Sequence, residues 1–253
     1  MTLLKFCVSA TVVAATRVAA VPRAYGQYMS MFNASNMAAV NIAGTISVNS
    51  AVGRSAKISS ATSNAAGSDE LAPRANQPYQ AIAYSVDPAV RAEVINTYID
   101  RAREIDAAEG EELAQLFRDR DLIGETAQNL RAYGLDINDL GDVITAYWAV
   151  NWGAVHQSGR PSVAQVQGLR EQFRTVLAGS QLTATTTVAE RQKIADDMLI
   201  RLILIDGGVE QSLRENNAAQ LQAISEYVHQ SSLSTMGIDL AVLDLTAEGL
   251  NAR

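Results

Sequence analysis

One stretch decides the fold: Asn138-Asp-Leu-Gly-Asp-Val-Ile-Thr-Ala-Tyr-Trp-Ala-Val-Asn-Trp-Gly-Ala-Val-His-Gln157. Its large apolar residues, Leu140, Val143, Ile144, Tyr147, Trp148, Val150, Trp152 and Val155, wrap most of a helical circumference. A helix that is apolar nearly all round must be enclosed by other helices. Asp136 or Asn138 can cap its start. The stretch predicts a helix over about 138–157 at the centre of a bundle.

Working outward, a second central helix begins near 188. There Thr187 and Glu190 have capping-box spacing, and Ile194 to Ile205 is nearly continuous apolar sequence. Arg201 and Asp206 interrupt that run, which argues against a membrane span. Gly207-Gly208 is expected to kink or stop the helix. Asp87-Pro88 gives another start, with Asp as cap and Pro at the first helical position. Val90, Val94, Tyr98, Ala102 and Ile105 then share one face. Shorter amphipathic patterns cover about 111–118 and 121–132, the latter ended by Gly134. Ser162 with Gln165 opens a helix near 163 that Gly179 stops, and two more are expected over about 216–234 and 239–250. No stretch from 87 to 253 shows convincing strand alternation. The expected fold is all-α, a compact bundle of six to eight helices after a disordered N-terminal segment.

Charge divides the 253 residues at the same place. Residues 1–86 hold six basic and two acidic residues, while residues 87–253 hold 14 basic and 25 acidic ones. An acidic domain of that kind repels nucleic acid and anionic lipid, so no nucleic-acid partner is expected.

Residues 1–26 have the features of a signal peptide. Lys5 precedes an apolar run from Phe6 to Thr16, too short to cross a bilayer, and small residues at Ala24 and Gly26 suit cleavage after Gly26, with Ala20 as a second point. Arg17 and Arg23 depart from the usual pattern. Cleavage would remove the single cysteine, Cys7, leaving a cysteine-free mature chain with no stable transmembrane span. The expected location is exported, periplasmic or extracellular. Residues 27–86 are rich in Ala, Ser, Asn and Gly and poor in large apolar residues, so a low-complexity flexible segment is expected, with a weak hairpin pattern over Val40–Val52. Residues 87–253 then form the helical domain.

Motifs for chemistry are missing. His156 and His229 lie far apart in sequence, and neither is followed by a His or Glu three or four residues on. No phosphate-binding glycine loop and no nucleophile elbow occurs. Asp139 and Asp142 share a helix face, but acids in a first turn are placed there by the helix dipole. Asp197 and Arg201 have the spacing of an ordinary helix ion pair. No catalytic residue, metal site or cofactor is expected. The one candidate ligand-binding cluster is Tyr147, Trp148, Asn151, Trp152 and His156. Trp148, Trp152 and His156 follow at i, i+4 and i+8, so they form a stripe that either lines a pocket for a flat ligand or packs as core.

The segments Tyr133-Gly-Leu135, Asp139-Leu-Gly-Asp142, Ala146-Tyr-Trp148 and Asn151-Trp152 resemble an uncharacterised family of exported bacterial proteins, a domain of unknown function, over about 87–215. The resemblance implies export and a helical domain, and no catalytic residues. The expected function is a non-catalytic exported helical protein of the bacterial envelope, binding a small ligand or an envelope protein or serving as structure. The alternatives are an enzyme using acidic residues and His156 in a helical pocket, and a secretion accessory whose residues 27–86 order on a partner. A sealed core around Trp152 and His156 would count against the enzyme.

Overall fold

The computed structural model describes residues 79–178 and 182–253. The leader, the flexible segment as far as Pro78 and the Gly179 stop lie outside the described residues. Within them the chain forms eight α-helices: α1 Pro88–Ile105, α2 Ala107–Asp119, α3 Leu122–Arg131, α4 Leu140–Val155, α5 Val163–Ala178, α6 Leu182–Thr185, α7 Val188–Arg214 and α8 Ala218–Ser231. The helical bundle expected from the sequence is therefore the observed architecture. A π-helical turn (Ser232–Met236) and a 3-10 turn (Leu240–Val242) lead to an antiparallel hairpin, β1 Leu243–Thr246 and β2 Gly249–Ala252.

Side-chain caps set most helix starts. Asp87, Asp106, Asp121 and Asp139 each accept a backbone N–H of the following turn, and Thr187 with Glu190 forms the expected reciprocal capping box. Helix α3 ends in a Schellman arrangement: the Leu135 N–H donates to the Leu130 carbonyl and the Gly134 N–H to that of Arg131.

Helix α4 is central. Thirteen of its sixteen residues are buried, and it packs against α5, α7 and α8. Two apolar clusters meet around α4 and α7. One gathers Trp148, Phe173 and Leu199 with the hairpin leucines; the other gathers Tyr98, Ile99, Leu113, Ile200, Ile224 and Val228.

Two local expectations are corrected. Helix α7 does not stop at Gly207-Gly208 but continues to Arg214, 27 residues in all. Each glycine costs about 1 kcal/mol in a helix, which the packing of α7 against α1, α3, α4 and α8 offsets. The predicted helix over 239–250 is instead the 3-10 turn and hairpin. Leu243 and Leu245 alternate inward at period two, and Gly249 takes φ 105°, which a side chain would resist. Before α1, two residues anchor the chain against the start of α4. Ile82 and Tyr84 are buried, Ala83 bridges to Asp139, and the Leu140 N–H donates to the Ile82 carbonyl.

Candidate functional site

The five residues of the candidate cluster all lie on α4 but face two directions. Tyr147 and Asn151 turn toward an interior polar group. There Arg201 pairs with Asp197 at 2.9 Å, and the Tyr98 hydroxyl donates to the same carboxylate. The Asn151 amide donates to the Tyr147 carbonyl at 2.6 Å. Burial raises the pKa values of Tyr98, Tyr147 and Tyr227, and the nearby Arg201 charge only partly opposes it. Burial also works against the Arg201 charge, but Tyr98, Asp197 and Tyr147 more than offset that and keep the guanidinium ionised.

Trp148, Trp152 and His156 form the expected stripe, facing α5 and the C-terminal segment. Trp148 sits 5.6 Å from the Phe173 ring. The Trp152 indole N–H donates to the Leu243 carbonyl at 2.9 Å, and its ring lies 4.4 Å from that of His156. Arg253 donates to Nδ1 of His156, so Nε2 carries the proton and donates to the Leu240 carbonyl at 3.0 Å. Both imidazole nitrogens are thus engaged by this chain; Trp148 is buried, and Trp152 and His156 are half-buried beside the C-terminal segment.

The acids at the start of α4 act structurally. Asp139 Oδ1 accepts from the Tyr79 hydroxyl, the Ile82 N–H and the Gly141 N–H. Asp142, only 2% exposed, accepts two bonds from Arg170 at 2.7 and 2.6 Å and one from the Asp136 N–H. Among the described residues no group of three or more His, Cys, Asp or Glu side chains is placed to hold a metal ion. His229 bonds Asp239, which also caps the 3-10 turn.

Space for a ligand lies on a third face of α4. A cleft of about 370 Å³ opens between α3, α4 and α7. Leu130, Leu135, Ala146, Ala149, Leu202 and Ile203 are among its apolar lining residues. Its six charged side chains are Arg120, Glu125, Arg160, Asp206, Glu210 and Arg214. Arg120 pairs with Glu125, and Arg160 pairs with both Asp206 at 2.7 Å and Glu210 at 2.5 Å. The lining contains no His, Cys, Ser or Lys. Its apolar floor can bury an apolar body. A more open recess of about 280 Å³ lies between α1 and the α2–α3 junction. Its charged side chains are already committed to ion pairs, side-chain bonds or a helix cap.

Sequence reasoning missed the cleft because its walls come from separated segments. The available signal was small: Ala146 and Ala149 on an otherwise bulky helix, and Gly207 on its neighbour, leave room where larger side chains would fill it. No curated protein and no solved structure matches the chain. A family model does, from residue 2 to residue 253, a wider span than the resemblance seen in the motifs. The chain belongs to that family, described as a family of unknown function (DUF6683).

Proposed function

We propose that this chain is a non-catalytic, exported helical binding protein of the bacterial envelope, and that the cleft between α3, α4 and α7 is its binding site. The observation carrying the proposal is the lining itself. It combines an apolar floor with acids that are all paired to arginine, so no carboxylate is left poised for proton transfer. The aromatic stripe supports the same reading, since Trp152 and His156 spend their polar atoms on holding the C-terminal segment. Export rests on the N-terminal leader pattern and on an acidic remainder that needs no thiol.

Intact mass measurement and N-terminal sequencing of the native protein from fractionated cells test the export half. A chain beginning at Gln27 or Val21 in the envelope or medium is expected. Full-length protein confined to the cytoplasm would overturn it.

A further inference from the structure

The charges around the cleft select its ligand class. Outside the six charged lining residues, the domain from residue 87 onward carries 11 basic and 22 acidic side chains. The cleft lining carries three of each, a locally neutral opening in an acidic surface. Arg160 holds both Asp206 and Glu210, and Arg120 holds Glu125, so the carboxylates there are matched by adjacent guanidinium groups. An anionic ligand meets repulsion from the domain and would have to compete with paired carboxylates for Arg120 and Arg160, while the third arginine, Arg214, stands exposed to solvent. A cationic ligand finds those carboxylates already occupied. An uncharged ligand loses nothing on entering and gains the apolar floor of Leu130, Ala146, Ala149 and Leu202. The volume suits a molecule of the size of two or three fused or linked rings, at the small end of ligand cavities.

We infer that the cleft binds a small, uncharged, largely apolar molecule, with the Arg160–Asp206–Glu210 and Arg120–Glu125 pairs excluding charged ones. This rests on the cleft being the binding site. The test uses two fluorescent probes of closely similar shape: neutral N-phenylnaphthylamine, and anilinonaphthalene sulfonate, which adds one negative charge. The full chain should bind the neutral dye saturably at one site, and the anionic dye at least roughly tenfold more weakly. Asn129→Trp on the exposed rim and Ala149→Leu on the floor should each abolish neutral-dye binding. The rim variant leaves the core untouched, so its thermal midpoint should stay at the parent value. The double substitution Asp206→Asn with Glu210→Gln leaves Arg160 unmatched, and should strengthen sulfonate binding roughly tenfold while changing the neutral dye less than about twofold.

Neutral-dye binding that survives both blocking variants overturns the cleft assignment but leaves a binding protein with another site. Equal affinity for the two dyes overturns the charge argument but leaves the site. Absence of saturable binding by either dye overturns both.

Discussion

At the scale of single residues, buried carboxylates distinguish this domain from an ordinary helical bundle. Asp139, Asp142 and Asp196 are all under about a tenth exposed, and each is tied to a distant segment. Asp142 joins α4 to α5 through Arg170, while Asp196 joins α7 to α1 through Arg91 at 2.9 Å and to the Gln192 amide. Removing one partner of such a pair strands a charge in a dry interior, which costs far more than losing an exposed pair. Asp142→Ala should therefore lower stability by about 3–5 kcal/mol in chemical denaturation. Asp206→Ala, whose carboxylate and Arg160 partner are both partly solvated, should lower it by less than about 1 kcal/mol. Equal losses would mean that the burial of Asp142 carries no energetic weight. The spacing of Asp197 and Arg201 made their pairing legible from sequence, but not its burial. That depends on Tyr98, which reaches the carboxylate from α1, 99 positions away along the chain.

At the scale of elements, the C-terminal hairpin is held by side chains that read its backbone. Gln165 donates to the Leu245 carbonyl at 2.6 Å, and Gln172 both donates to the Leu250 carbonyl and accepts from its N–H. The two glutamines sit seven positions apart on α5, and between them Gly168 lets the hairpin turn come close. A Cβ there would lie 2.0 Å from the Ala247 carbonyl oxygen. Edge backbone groups that would otherwise be free for another strand are thus partly occupied. Gly168→Ala should push the turn off α5 and cost about 1–3 kcal/mol, the usual range for overpacking. The change should be visible as a red shift in tryptophan emission, because Trp152 loses its bond to Leu243 and gains water. Since both tryptophans lie on α4, an unchanged spectrum would show that the seat adapts. The helices were legible because their apolar period and caps are local. The hairpin was not, because four-residue strands offer too few turns of alternation, and its stabilising partners lie some 80 residues upstream.

At the scale of the whole molecule, the sequence placed the central helices, the acidic balance and the stripe. It could not place the cleft, because a cavity is a property of how separated elements meet. Ahead of α1, Tyr79, Ile82 and Tyr84 are tied to the entry of α4 through Asp139 and Ile137. Those tyrosines share a property with three others that makes the entire fold sensitive to alkali. Burial raises the pKa values of Tyr79, Tyr84, Tyr98, Tyr147 and Tyr227, and for each of them neighbouring carboxylates add to the effect. A phenol in the unfolded chain ionises near pH 10. Below that pH both states keep their protons, so these groups leave stability independent of pH. Above it the unfolded chain releases protons that the folded chain retains, and stability falls with rising pH. Each buried phenol that keeps its proton in the folded chain adds to that decline, so several acting together can exhaust the small net stability of a domain. Unfolding is therefore expected before the buried phenols titrate individually. The phenolate absorbance of these five among the eight tyrosines of the chain and the loss of helical circular dichroism should rise in one cooperative step above about pH 10. Tyr227→Phe, which removes one of the five, should make the decline shallower. Five phenols ionising gradually while the helical signal persists would show that their burial does not couple to the stability of the fold.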